Sequence, residues 1–174
     1  MAIEAMSLQE KLDRLKKEVQ KMQRDITHGS KKPHKLVMLL AVLDLFERQI
    51  ITENKIYFND ELTGSFSNTF NLIRSKGDWN QPAPPFFHLR TSSFWKHKIK
   101  NGREIPYSKL STSGGGTKRI EENIEYAYLS DYAHEIFLDK EARQSLREFL
   151  IFCLNPFSNF ENSSPINPGF EKRI

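Results

Sequence analysis

Between Leu36 and Phe46 the chain reads L-V-M-L-L-A-V-L-D-L-F, with Asp44 the single polar residue. A helix of this composition is apolar around nearly its whole circumference, so it needs neighbours on every side. The run is far too short to cross a membrane, so protein must supply those neighbours. It is expected to be the central core helix, and the other segments its wrapping. Pro33 suits the first position of this helix, which should run to about Arg48.

A chain of 174 residues has room for one such core. The segment before it is easily assigned. S-L-Q-E (Ser7, Glu10) is a capping-box pattern. Leu8, Leu12, Leu15, Val19, Met22 and Ile26 follow at spacings of four and three, a narrow seam with Lys11, Arg14, Lys17, Lys21 and Arg24 outside it. Such a helix is expected to pack on its own domain; pairing with a second chain as a homodimer, or as an oligomerising adaptor, is the alternative. Gly29 should end it.

After the core helix, Ile50 to Phe58 reads as a short hairpin turning at Glu53–Asn54. Asn59 can cap a third helix with Leu62, Phe66, Phe70 and Ile73 on one face, ending near Arg74. Strands are expected at Phe86–Leu89 and Phe94–Ile99 around a T-S-S turn, and at Ile124–Leu129. S-T-S-G-G-G-T-K-R reads as a flexible loop. Ser130 should cap a short helix and Asp139 the last one, whose face holds Ala142, Leu146, Phe149, Leu150 and Cys153. The class is α+β: a first amphipathic helix (1–28), a domain of helices with a small antiparallel sheet (29–155) and a weakly ordered tail (156–174).

Several chemistries are unsupported. One cysteine, Cys153, permits neither an internal disulfide nor a cysteine-based zinc site, and a reducing, cytoplasmic setting is expected. The five histidines (His28, His34, His88, His97 and His134) show no metal-ligand pairing along a helix. Neither a nucleophile elbow nor a phosphate-cradling P-loop is present. Glu53-Asn54-Lys55, with Asp44 or Asp60, matches a short nuclease-like pattern, but triplets of this kind arise freely in charged chains. No enzyme activity, cofactor, metal or membrane partner is expected.

The charge distribution points elsewhere. The formal net charge is only +4, yet nine Lys or Arg stand against three acids from Lys11 to Lys35, and eight against Glu104 alone from Arg90 to Arg119. From Ile120 onward ten acids face five bases. Such segregation presents a basic face to a polyanion, and nucleic acid is the first candidate. If Pro33 opens the core helix, the amides of His34 and Lys35 lie at its positive end, with Lys31, Lys32 and Lys35 around them, an arrangement that suits a backbone phosphate. Next to these bases in character, but not in composition, is Q-P-A-P-P-F-F-H-L-R, Gln81 to Arg90: three prolines in four residues form a stiff, donor-poor apolar corner.

Taken in order, K-P-H-K before an apolar helix, P-x-P-P-F-F-x-L, S-x-F-W soon after it and L-D-K-E-A-R-Q-S-L-R-E-F-L resemble the sulfur-binding domains of type IV restriction systems. The resemblance runs from about Lys31 to Leu154. It implies a module that recognises phosphorothioate in double-stranded DNA, where one non-bridging phosphate oxygen is replaced by sulfur. Sulfur is larger, softer and a poorer hydrogen-bond acceptor than oxygen, so an apolar cup can accept it at less desolvation cost. The resemblance assigns that cup to Pro84, Pro85, Phe86 and His88 beside His34. DNA backbone and base contacts then fall to Lys31, Lys32, Lys35, Trp79, Asn80, Gln81, Arg90, Thr91, Ser92, Ser93, Lys109, Lys118 and Arg119. Members of the family are commonly fused to an HNH nuclease. Only twenty residues follow Leu154 and none is a histidine, so a chain that reads DNA without cutting it is expected, either alone, with a separate nuclease, or as a piece of a larger enzyme.

Overall fold

The computed structural model describes residues 5–24, 33–73, 80–110 and 115–154. The fold is α+β. In chain order its elements are α1 (Leu8–Arg24), α2 (His34–Glu47), α3 (Asp60–Ile73), α4 (Ala83–His88), a 3-10 turn (Leu89–Thr91), β1 (Trp95–Ile99), α5 (Glu104–Ser108), α6 (Gly116–Asn123), β2 (Ile124–Leu129), α7 (Asp131–Leu138) and α8 (Lys140–Leu154).

Helix α2 is the centre, as its composition requires. Leu36 to Leu43 are all buried, as are Leu45 and Phe46. Helices α3, α4, α7 and α8 surround it. Burying a side chain the size of leucine stabilises by roughly 1.5–3 kcal/mol, so this helix alone commits the chain to a layered wrap.

Helix α1 begins with the expected reciprocal cap: the Glu10 amide donates to Ser7 Oγ at 3.1 Å and the Ser7 amide to Glu10 Oε1 at 3.3 Å. Its seam is closed by its own domain. Leu12, Leu15 and Val19 are buried, and α1 packs on α7 and α8. Its cations join in: Lys11 pairs with Glu135, Lys16 Nζ donates to Ser145 Oγ at 3.1 Å, and the Arg14 guanidinium lies 4.2 Å from the Tyr132 ring centre. The middle of the seam therefore faces the domain itself while Leu8 stays exposed, and part of the first basic cluster serves internal contacts. Gly29 and Ile26 lie outside the described residues.

Asn59 caps α3 through Oδ1, which accepts the Leu62 amide at 3.1 Å, and Leu62, Phe66, Phe70 and Ile73 are buried. Asp139 caps α8, its Oδ2 accepting the Ala142 amide at 2.8 Å. Ser130 stands at the start of α7 without performing the expected capping bond, and its buried hydroxyl has no partner among the described residues.

Three expectations are corrected. Phe86–Leu89 is not a strand but the end of α4 and the start of the 3-10 turn. Proline φ values match a helix, and in the first turn the missing N–H costs no hydrogen bond. Pro82, Pro84 and Pro85 thus nucleate α4, with Pro82 O accepting the Phe86 amide at 3.2 Å. The Ile50–Phe58 hairpin is also absent. That segment instead runs beside β2, touching it through one bridge, Ile56 to Ala127. Asn54 completes the contact: its amide donates to Leu129 O at 2.7 Å and its Oδ1 accepts the Leu129 N–H at 2.8 Å. Finally, of the expected S-T-S-G-G-G-T-K-R loop, Gly116, Thr117, Lys118 and Arg119 form the first turn of α6, and Ser111 to Gly114 lie outside the described residues. Strands β1 and β2 are as expected and pair antiparallel, with Trp95 opposite Leu129 and a bulge at Lys98–Ile99. No described helix is long and apolar enough to cross a membrane.

Candidate functional site

Helices α2 and α4 pack on each other, and His88, the last residue of α4, feels the charges of Lys35 in the first turn of α2 and of Arg90 in the following 3-10 turn. His34 is half-buried, its ring 4.8 Å from that of Phe70 on α3. The imidazole of His88 is half-buried, and its pKa is lowered first by that burial and then by the charges of Lys35 and Arg90. Two cations and a neutral histidine therefore share one electrostatic neighbourhood.

Arg90 is exposed but held. Its guanidinium sits 4.1 Å from the centre of the Phe87 ring and 5.4 Å from that of Tyr107, and Nη1 donates to the Tyr107 hydroxyl at 3.4 Å. The Tyr107 hydroxyl meets His97 Nδ1 at 2.9 Å. His97 Nε2 and Trp95 Nε1 both lie 3.0 Å from the Phe86 carbonyl oxygen. A neutral His97 satisfies this set: Nε2–H donates to Phe86, and Nδ1 accepts from Tyr107. Its pKa falls to about 4, mainly through burial, with the Arg90 charge adding and the Phe86 hydrogen bond opposing. The His97 ring also stacks against Phe86 and Phe87, at centroid distances of 5.6 and 5.8 Å.

The apolar corner divides into buried and accessible parts. Phe86 is fully buried and Pro85 buried, so neither forms the open wall assigned to them. A short helix has one face on the core, and these two residues take it together with Ala83 and Phe87. Pro82, Pro84 and His88 are half-buried and remain at the surface.

The remaining assigned contacts are scattered. Asn80 and Gln81 are exposed at the entry to α4, with Asn80 Oδ1 accepting from Ser67 Oγ at 3.3 Å. The hydroxyls of Thr91 and Ser92 are engaged with their own turn, donating to His88 O at 3.0 Å and Leu89 O at 2.6 Å. Ser93 Oγ lies 3.4 Å from the Tyr132 hydroxyl, which directs it toward α7. Lys109, Lys118 and Arg119 are exposed on α5 and α6 borders, and Arg119 Nη1 approaches Glu122 Oε2 at 3.8 Å. Lys31, Lys32 and Trp79 lie outside the described residues.

The residues of the nuclease-like triplet, and Asp44, are each engaged elsewhere. Glu53 meets Lys55 at 3.6 Å, Asn54 is bound to the β2 backbone, and Asp44 accepts from Ser65 and Arg48. Among the described residues no cluster of three His, Cys, Asp or Glu could hold a metal. Sequence reasoning missed Phe87, His97 and Tyr107 as supports of Arg90. The alternation W-K-H-K signals only that Trp95 and His97 share a strand face, and nothing links either to a tyrosine on a separate helix. Comparison of the chain with protein-family models and with curated proteins returned no match.

Proposed function

We propose that this chain is a DNA-binding module that recognises a phosphorothioate in duplex DNA and carries no nuclease activity of its own. The observation that carries the reading is the proximity of the Lys35 and Arg90 charges to His88, which lies one helical turn after the half-buried Pro84 on α4. Lys35 and Arg90 supply charge for the two sides of a phosphate. Arginine in particular forks toward paired oxygens. The Pro84 ring and the neutral His88 imidazole supply a wall that costs a soft sulfur little hydration and offers an ordinary phosphate oxygen poor replacement for its water. The cup is thus narrower than the resemblance alone implies, with Pro85 and Phe86 supporting it from within.

A titration of modified against unmodified duplex, with one defined sulfur diastereomer at two salt concentrations, tests the proposal. Tighter binding of the modified duplex is expected, and Pro84→Ser should remove that preference while leaving affinity for ordinary DNA. Equal affinities would reduce the reading to general DNA binding alongside a separate nuclease. Cleavage of either duplex with magnesium or manganese, lost on Glu53→Ala, would overturn the non-nuclease half.

A further inference from the structure

The outer face of the β1–β2 pair carries a second surface. Residues opposite one another in an antiparallel pair project to the same side, and the register sets Lys96 against Tyr128 and Lys98 against Tyr126. The Ile56–Ala127 bridge turns two fully buried side chains inward. By alternation Lys55 and Tyr57 join the outer side. Three tyrosines then form a ladder: Tyr57 and Tyr126 have centroids 5.7 Å apart at 62°, and Tyr126 and Tyr128 6.2 Å apart at 67°. The Lys55 ammonium stands 5.4 Å from the Tyr126 ring centre.

Among the described residues this face is accessible, and apart from Lys55 its polar groups are unspent. Tyr57 is 45% exposed, and Lys96 and Lys98 are exposed. Neither lysine forms an ion pair with a described residue, and none of the three phenol hydroxyls is hydrogen-bonded among the described residues. The nearby acids are Glu53, which pairs with Lys55, and the exposed Glu125 at the bulge. Beside Tyr57 opens a cleft of about 230 Å³ lined in part by Leu45, Ile50, Ile51 and Lys55.

Aromatic rings set edge to face, with ammonium groups on the next strand, match what an unpaired nucleic-acid strand offers: flat bases linked by phosphates. A duplex hides its bases in its own stack and cannot use the rings. We propose that this face binds single-stranded nucleic acid, with bases stacking on Tyr57, Tyr126 and Tyr128 and phosphates meeting Lys96 and Lys98. The site is separate from the Lys35–His88–Arg90 cluster: His97 projects from one side of β1 toward Arg90, and Lys96 and Lys98 from the other.

Fluorescence anisotropy with a dT20 strand and an abasic strand of equal length tests it. Expected are tighter binding of dT20 and a loss of about five- to a hundredfold for it in Tyr126→Ala, the range of one base–aromatic stack. Tyr57→Leu, which keeps apolar volume at an exposed position, should also weaken dT20 while leaving affinity for the phosphorothioate duplex unchanged. Equal binding of the two strands, or dT20 affinity indifferent to both substitutions, would overturn the proposal. So would a change of mass by light scattering in the tyrosine variants, which would make the face a contact between copies. Because the duplex titration reads other residues, either proposal can fail without the other.

Discussion

The Arg90 guanidinium stands 4.1 Å from the centre of the fully buried Phe87 ring, so the aim of an exposed cation is set by the core. Tyr107 adds a second ring and a hydroxyl, and His97 fixes that hydroxyl from behind. A long side chain held in this way has lost much of its rotamer freedom before any ligand arrives, which lowers the entropic cost of engaging one.

Arg90→Ala should weaken all DNA and lower the slope of log affinity against log salt by about one, the loss of one phosphate contact. Arg90→Lys keeps the charge but not the planar stack. It should retain the salt slope and still bind several-fold more weakly. Titrations at three salt concentrations separate the two effects. An unchanged slope in Arg90→Ala would remove Arg90 from the phosphate.

His97 gives the fold a defined acid sensitivity. A histidine titrates near 6.5 in an unfolded chain, whereas burial lowers His97 to about 4. Between these values the unfolded chain binds the proton more tightly. The stabilisation is therefore complete above about pH 6.5 and is lost as pH falls through the window, by at most about 3 kcal/mol. Burial likewise lowers His88 and His134, with the same sign. Urea midpoints at pH 7 and 4.5 for the wild type and His97→Gln isolate the His97 share, since the other two histidines remain in both. The variant should lose less on acidification; equal losses would place the sensitivity elsewhere.

Asn54 stands in for a strand. Its two hydrogen bonds complete the backbone of Leu129, which is buried. Asn54→Ala leaves that N–H and C=O unpartnered and should cost about 2 kcal/mol. Asn54→Asp keeps the acceptor and loses the donor, so an intermediate loss is expected by chemical denaturation.

What was legible in the sequence follows from the range of each signal. The Ser7–Glu10 cap, the α1 seam, the Asn59 and Asp139 caps and the enclosure of α2 are written within a few turns of helix, and each is present. The segment Pro82–Leu89 failed because apolar rings after prolines fit a buried strand or a short buried helix equally well; the helix forms because three prolines at its start preset φ. The Ile50–Phe58 hairpin failed because its alternation was real but its partner was distant: Ile56 faces Ala127, not its own neighbour. The Arg90 support and the tyrosine ladder were hidden for the same reason. His97 and Tyr107, or Tyr57 and Tyr126, become neighbours only through strand register and packing between elements. Within the proline corner, residue type alone could not separate buried Pro85 from half-buried Pro84.

Gln49 offers a test of local strain free of any function. Helix α2 ends in a paired closure: the Gln49 amide donates to Phe46 O at 3.1 Å and the Ile50 amide to Leu45 O at 2.9 Å. That geometry requires a left-handed residue where the helix stops, a position usually held by glycine. Here Gln49 adopts φ of 59°, and its Cβ crowds the backbone at a cost of roughly 1 kcal/mol. Its side chain is exposed and forms no hydrogen bond with the described residues, so among them only the two backbone bonds of the closure offset the strain. Gln49→Gly relieves it but widens the unfolded ensemble. The net expectation is stabilisation of about 0.5 kcal/mol, read as a raised urea midpoint at unchanged slope. Gln49→Val, β-branched and intolerant of this conformation, should lower the midpoint by more than glycine raises it. If both variants matched the wild type, the closure of α2 would not depend on this backbone conformation.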